Sequence, residues 1–248
     1  MSTPAPLPLP QVLPLRDRVV LVTGASGGLG AAAARACADA GARVVLLGRK
    51  VPRLNRVHDA IVAAGGDASL YPLDMEGAGA DDYAQLAARV DDAYGRLDGV
   101  LHCAAEFRGL TPLDHADPAA FARAVHVNLT ARWWLTQACV PLLRRAEDSA
   151  VVFVMDDVES SNQAFWGGYG IAQRGQEAMV EMLHRELANG PVRISGLRPG
   201  PMRTPLRARA YVDGEHLARD PADCAPSCVE LLSAAGAVHR GTVWSPSR

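Results

Sequence analysis

The chain has 248 residues, of which 49% are hydrophobic and 21% are charged, and its formal net charge is -2. This composition is typical of a globular protein and excludes a disordered chain. A charge so close to zero argues against nucleic acid as a partner. No apolar run approaches the roughly 20 residues that a membrane-spanning helix requires, so no membrane partner is expected.

Two further features indicate the compartment and the domain limits. Residues 1–15, MSTPAPLPLPQVLPL, are interrupted by prolines and lack the basic start of a signal peptide. They predict an extended Pro-rich arm, followed by a single domain over 16–248. The five cysteines are odd in number and scattered, which favours a reduced cytoplasmic protein without a disulfide framework or a metal site.

The domain begins with a strand, a glycine-rich turn and a helix. Residues 19–22 are β-branched and apolar, as in a strand buried on both faces. The turn TGASGGLG leads into an alanine-rich helix that reaches about Ala40, and 43–47 predicts a second buried strand. In this β-α-β order, N–H groups at the helix N-terminus can bind a pyrophosphate. A nucleotide site is predicted from the turn residues Gly24, Ser26, Gly28, Leu29 and Gly30.

The residues after the second strand distinguish between the two nicotinamide nucleotides. A carboxylate here would accept hydrogen bonds from the ribose hydroxyls of NAD. The chain instead has Gly48 followed by Arg49 and Lys50. Two cations without a carboxylate suit a 2′-phosphate, so NADP is favoured over NAD. A solvated basic turn is the alternative interpretation.

The alternation of strands and helices continues through the chain. Further strands are expected over 69–73, 99–103, 192–197 and 241–244, and further helices over 52–64, 81–94, 118–145 (in one or two pieces) and 221–235. Residues 151–173 predict a strand, a loop and a helix. This pattern predicts an α/β fold, a single-domain Rossmann-type, doubly wound parallel sheet flanked by helices.

Three smaller features follow from this fold. Asp74, at the end of the third strand, is placed where its carboxylate could meet an adenine edge. Trp133 and Trp134 are better explained by packing in a core or an interface than by ligand binding. Residues 202–219 would cover the site as a lid, and its arginines suit either an anionic ligand or, more readily, solvent.

Together these motifs resemble the short-chain dehydrogenase/reductase family over about 18–243. The resemblance rests on TGASGGLG, Asp74, HVNLT with Asn128, the helix that carries Tyr169, and RPGPMRT over 198–204. Details such as LLGRK and FWGGYG are most similar to the YciK-like bacterial members. The resemblance implies oxidoreductase chemistry, a homodimer or homotetramer, and further cofactor contacts from Ala104, Tyr169, Pro199, Gly200 and Thr204.

In the resembled family, Asn, Ser, Tyr and Lys side chains carry the reaction. The tyrosine exchanges a proton with the substrate oxygen, while the lysine four residues later favours the tyrosinate. Tyr169 and Asn128 match two of these positions. Gln173 stands at the lysine position, and Asp156 stands at the serine position, thirteen residues before Tyr169.

Both replacements act on the tyrosine in the same direction. Gln173 carries no positive charge, and an ionised Asp156 would disfavour a second negative charge on Tyr169. An unperturbed tyrosine has a pKa of about 10, so Tyr169 is expected to be protonated at neutral pH. Lys50 belongs to the cofactor turn, Arg174 lies roughly 140° around the helix from Tyr169, and only Ser160 and Ser161 in the loop remain as further candidates.

Three functions are therefore open. The first is a protein that binds NADP(H) with weak or absent oxidoreductase activity, because Asp156 and Gln173 replace the serine and the lysine. The second is a working NADP-dependent carbonyl or alcohol oxidoreductase that uses Tyr169 with a rearranged proton relay. The third is a non-redox isomerase or dehydratase with Asp156 as its base.

Overall fold

A single parallel sheet organises the molecule. The computed structural model describes residues 13–157, 163–211 and 218–246. The strands pair in the order β3-β2-β1-β4-β5-β6-β7, all of them parallel. Their bounds are β1 Val19–Thr23, β2 Arg43–Gly48, β3 Asp67–Pro72, β4 Gly99–His102, β5 Ser149–Val154, β6 Val192–Leu197 and β7 Val243–Trp244.

Helices cover both faces of this sheet and give it two cores. Along β1, Val20 and Val22 pack into one core while Val19 and Leu21 pack into the other, because successive side chains of a strand point to opposite faces. The prediction of a doubly wound α/β sheet is confirmed. The helices are α1 Gly28–Asp39, α2 Val51–Ala63, α3 Ala80–Tyr94, α4 Pro118–Val125, α5 Ala131–Leu143, α6 Gly167–Glu186 and α7 Pro221–Leu232.

Three predicted elements differ from those in the structure. The helix expected over 118–145 is α4 and α5 joined by a π-helical turn, His126–Thr130, and it ends at Leu143. The third strand begins at Asp67, because its pairing with β2 starts there. The last helix ends at Leu232, where Ser233 turns extended and its side chain caps a 3-10 helix, Ala234–His239.

The predicted N-terminal arm mostly lies outside the described residues, which begin at 13, so the arm and the domain limits stay predictions. Leu15 is nevertheless fully buried, and its N–H donates to the carbonyl of Ala40 at 2.9 Å. In the described ranges, no helix has the length and apolarity needed to cross a bilayer.

A charged network fastens the sheet at the edge opposite the carboxyl ends of its strands. Asp148, just before β5, accepts hydrogen bonds from Arg18 and Arg193, each at 2.6 Å. Both guanidinium groups also donate to carbonyl groups at the end of α7. Burial alone would raise the pKa of Asp148, but the hydrogen bonds from Arg193 and Arg18 outweigh burial and lower it.

We expect Asp148→Asn to lower the free energy of unfolding by about 3 kcal/mol at neutral pH, because it leaves the buried Arg193 without its anion. The lowered pKa means that this stabilisation is complete above the unfolded pKa of about 3.9 and is lost as the pH falls through the folded value. Urea unfolding of variant and wild type should therefore differ less at about pH 3 than at neutral pH. Asp91→Asn, in an exposed pair with Arg145, is the control and should cost under about 1 kcal/mol. Equal losses in both variants would contradict this role for Asp148.

Candidate active site

A cleft of about 360 Å³ opens at the carboxyl ends of the strands. The strand order reverses between β1 and β4, and ligands of open α/β sheets bind at such a point. The structure brings nearly all predicted site residues to this cleft, and only Asn128, which lies beneath it, is absent from the lining. The predicted residues that line it are Gly24, Ser26, Gly28, Leu29, Gly30, Arg49, Lys50, Asp74, Ala104, Asp156, Tyr169, Gln173, Pro199, Gly200 and Thr204.

The glycine-rich turn forms one wall, and its glycines have identifiable roles. Gly24 has a positive φ of 65°, and a Cβ there would lie 2.8 Å from the Cα of Ala104. A Cβ on Gly30 would collide with the carbonyl oxygen of Gly24. The turn therefore packs directly on the residues that follow β4, with the N-terminus of α1 exposed to the cleft. Such a cradle fits the pyrophosphate of a dinucleotide.

The basic turn after β2 lies at one end of the cleft. Arg49 is about half exposed and lies 3.8 Å from Asp74 and 3.6 Å from Glu76. Asp74 thus has a cationic neighbour, which the sequence analysis did not foresee. Arg53, in the first turn of α2, also lines the cleft and was not among the predicted site residues. No helical spacing marked it, because Arg49 precedes the helix that carries Arg53.

Asn128 holds the backbone that leaves β4. Its side-chain oxygen accepts from the N–H of Glu106 at 3.1 Å, and its nitrogen donates to the carbonyl groups of Glu106 and Ala124 at 2.7 Å. These bonds are possible because the π-helical turn carries Asn128 and leaves the carbonyl of Ala124 accessible. Asn128 is fully buried, and these three hydrogen bonds are all to backbone groups.

Tyr169 faces the cleft from the first turn of α6 and is 4% exposed. Its hydroxyl donates to the carboxylate of Asp156 at 3.2 Å. Burial, and secondly the charge of Asp156, raise the pKa of Tyr169 well above its ordinary value, while the charge of Arg132 opposes them. Burial also raises the pKa of Asp156, against hydrogen bonds from Asp157 and Tyr169. The phenol therefore carries its proton at neutral pH.

Gln173, in α6, fixes the start of the loop between β5 and α6. Its side-chain oxygen accepts from the N–H of Asp156 at 3.0 Å, and the side chain is almost fully buried. An amide can make this neutral contact, but it adds no positive charge beside Tyr169. The position expected to hold a lysine therefore orients the backbone of Asp156 instead.

Two other predicted candidates do not reach the phenol. Arg174 is exposed and pairs with Glu177 at 3.2 Å, and Lys50 stays in the basic turn. Ser160 and Ser161 lie outside the described residues.

The structure adds a cation that the sequence analysis missed. Arg132, in α5, is 1% exposed and lines the cleft. It donates to the carbonyl groups of Val154 and Ala104 and to the side chain of Gln176. A signal existed in the sequence, because Arg132 follows Asn128 by four residues within the helix predicted over 118–145, and such a spacing favours one helical face.

Aromatic rings form the wall opposite the glycine turn. Phe107 lies 5.0 Å from the rings of both Trp166 and Tyr169. Tyr211, from the lid, lies 6.1 Å from Trp166, and the guanidinium of Arg207 stacks on Tyr211 at 4.2 Å.

The other lid arginines contact the protein. Arg203 donates to the carbonyl of Ala218, and Arg209 donates to that of Phe107. Arg203 and Arg209 are nevertheless exposed, so the interpretation of the lid arginines as a solvated face stays a prediction.

Comparison with known proteins agrees with this architecture. The family profile described as short chain dehydrogenase matches residues 18–213. The oxidoreductase YciK from Escherichia coli K12 is 35% identical over 220 residues, which covers 88% of this chain and 87% of the relative. A solved short chain dehydrogenase from Pseudomonas syringae is 39% identical, with a TM-score of 0.90 over 95% of this chain and 96% of that one.

A second solved structure adds a ligand. A short chain dehydrogenase from Shigella flexneri, in complex with NADP, is 32% identical, with a TM-score of 0.90 over 95% of this chain and 99% of that one. The match to the family profile spans well over half of the chain, and the relatives share its fold over nearly their whole length. The chain therefore belongs to the short-chain dehydrogenase family of oxidoreductases.

Proposed function

We propose that this chain binds NADP(H) and transfers hydride weakly or not at all at neutral pH. One observation carries the proposal: the hydroxyl of Tyr169 donates to the carboxylate of Asp156 at 3.2 Å. The bound nucleotide would supply or accept the hydride. The protein would have to move the accompanying proton, and this second task is the impaired one.

The raised pKa of Tyr169 impairs proton movement in both directions. In alcohol oxidation the phenol oxygen must accept the hydroxyl proton of the substrate, and few molecules carry the required tyrosinate. In carbonyl reduction the phenol must donate its proton to the substrate oxygen, and a phenol with a raised pKa is a weak acid. Oxidation suffers more, because its active form is the scarce one.

The residues present fit the proposed cofactor. The glycine cradle faces the pyrophosphate position, while Arg49, Lys50 and Arg53 lie at the end of the cleft where a 2′-phosphate would need cations. The relative from Shigella flexneri holds NADP, which agrees with the predicted preference for NADP over NAD.

Binding and turnover can be separated in one experiment. Fluorescence titration with NADPH and NADH measures affinity, and a panel of carbonyl compounds and alcohols is then screened by following cofactor absorbance. We expect tight NADPH binding and slow turnover in both directions, with a rate of alcohol oxidation that rises toward alkaline pH. Rapid turnover at neutral pH that Tyr169→Phe abolishes would contradict the proposal and favour the working oxidoreductase. Failure to bind either nucleotide would overturn the cofactor assignment.

A non-redox reaction is a second candidate, because burial raises the pKa of Asp156, as a carboxylate base requires. It would consume substrate without any change in cofactor absorbance. Loss of that reaction in Asp156→Asn would support it, whereas turnover that always follows cofactor absorbance would exclude it.

We expect the Arg49→Ala and Arg53→Ala pair of substitutions to weaken NADPH binding by about tenfold or more, since each removes a charge-assisted contact to the 2′-phosphate. NADH lacks that phosphate and should bind almost unchanged. Titration of both nucleotides measures the ratio, with Arg56→Ala, exposed on the same helix, as the control. An equal loss of affinity for NADPH and NADH would show that the two arginines do not recognise the 2′-phosphate.

We also infer a homodimer or homotetramer. Ile171 and Met182 are exposed by 51% and 60% and lie three turns apart on one face of α6, and Trp133 on α5 is exposed by 43%. Trp134 instead packs near Tyr83. A monomer in sedimentation equilibrium would contradict this inference.

A further inference from the structure

The centre of the site contains a buried positive charge that the tyrosine, serine, lysine and asparagine scheme does not include. Arg132 is 1% exposed, and burial lowers its pKa to about 10. It therefore remains protonated at neutral pH. Among the described residues, its hydrogen-bond partners are neutral, and its Nε atom has none.

Burying a guanidinium without an anionic partner lowers the stability of the fold. Such a residue therefore points to a role in the site. Its field is also weakly screened, because the side chain is almost fully buried. The charge of Arg132 thus reaches groups at distances where an exposed arginine would have little effect.

Three contacts place this charge around the phenol. Arg132 donates a hydrogen bond to the carbonyl of Val154, two residues before Asp156, at 2.8 Å, and another to the carbonyl of Ala104, after β4. It also donates to the side-chain oxygen of Gln176, which follows Tyr169 by seven residues and so lies on the same face of α6. The guanidinium therefore lies between the ends of β4 and β5 and the face of α6 that carries Tyr169.

We propose that Arg132 is a positioning residue that takes over the electrostatic role of the absent lysine, favouring ionisation of Tyr169 from a neighbouring helix. The interaction is reciprocal: the charge of Arg132 lowers the pKa of Tyr169, and the tyrosinate raises that of Arg132. The proposal rests on the proposed function, in which Tyr169 is the proton carrier.

A consequence follows for the two replacements. If Arg132 already supplies the cation, Gln173 is not a defect, and of the two replacements only Asp156 adds to the effect of burial in keeping Tyr169 protonated. Asp156→Ser by itself should then restore turnover, without any lysine at position 173. The proposed function alone does not make this prediction, because it counts the missing lysine as part of the impairment.

Other titratable groups near the pair must be held constant in the test. Those that interact electrostatically with Tyr169 or Arg132 are Asp156, Tyr211, Cys103 and His102. None of them is changed among the variants compared, apart from the common Asp156→Ser background.

The first experiment measures the pKa of Tyr169 itself. Ultraviolet titration of the phenol in the Asp156→Ser background, with the Tyr169→Phe spectrum subtracted, isolates one tyrosine. Arg132→Met should raise this pKa by one unit or more, a tenfold loss of tyrosinate, while Arg132→Lys should keep it within about half a unit. An unchanged pKa in Arg132→Met would overturn the proposal.

A second variant covers the case in which Arg132→Met does not fold. Gln176→Glu keeps the size of the side chain and its contact with Arg132 but adds a neutralising charge. It should also raise the pKa of Tyr169 by one unit or more. No rise in this variant, with circular dichroism matching the parent, would likewise overturn the proposal.

Turnover separates this proposal from the proposed function. Activity in Asp156→Ser that is lost in Asp156→Ser with Arg132→Met, and kept with Arg132→Lys, supports both. Activity only when Gln173→Lys is added supports the proposed function and overturns the role of Arg132. If neither Asp156→Ser nor Asp156→Ser with Gln173→Lys is active, although both bind NADPH, the proposed function is overturned. The phenol titration alone then tests the role of Arg132.

Discussion

Replacing Asp156 with serine and Gln173 with lysine together should raise the rate of alcohol oxidation by about 100-fold or more at neutral pH, because two units of pKa change the tyrosinate fraction by that factor. The serine removes the carboxylate that accepts the phenol proton at 3.2 Å. The lysine, four residues after Tyr169 on the same helical face, adds an ammonium beside the phenol. Both changes shift Tyr169 toward its ionised form.

The measurement is cofactor reduction under saturating NADP with a panel of alcohols, as a function of pH. In the wild type the rate should rise toward alkaline pH, whereas in the variant it should reach its plateau nearer neutrality. Arg174→Lys is the matched control, since it places a lysine on the exposed side of the same helix. A variant that folds and binds NADP but gains no activity would show that the impairment lies elsewhere.

Gly30→Ala should weaken NADPH binding by about 100-fold and lower stability by about 1–3 kcal/mol. The added Cβ would collide with the carbonyl oxygen of Gly24, and that oxygen belongs to the turn itself. The turn must then open, which moves the N–H groups that face the pyrophosphate position. A 100-fold loss of affinity corresponds to about 2.7 kcal/mol, so the effects on binding and on stability should be similar in size.

Nucleotide titration and urea unfolding measure the two effects separately. Gly77→Ala is the control, because a Cβ there meets no atom within 4 Å and Gly77 is exposed. NADPH affinity in Gly30→Ala close to that of the wild type would show that the turn does not bind the pyrophosphate.

Much of the site could be predicted because its signals are local. The β-branched run of β1, the glycines of the turn and the Arg49–Lys50 pair each lie within a few residues of one another. Strand and helix periodicity then place them at one edge of a sheet. The relation between Tyr169 and Gln173 is also local, since a helix brings residues four apart to one face.

The failures have a different origin. The contacts of Asn128 could not be predicted, because they join it to the backbone of Glu106, which is 22 residues away. The hydrogen bond from the lid residue Arg209 to the carbonyl of Phe107 could not be predicted either. Local sequence does not say which surface a long side chain will meet.

The sequence by itself determined the fold, the nucleotide cradle and the loss of the serine and the lysine, since each depends on residue type and short spacing. Only the tertiary structure determined the electrostatic environment of the Tyr169 phenol. The phenol donates to Asp156 and packs among buried aromatic rings, and the buried guanidinium of Arg132 belongs to another helix, α5. Electrostatic effects on a pKa depend on distance and burial, and both are set by the packing of β5, α5 and α6 around the cleft.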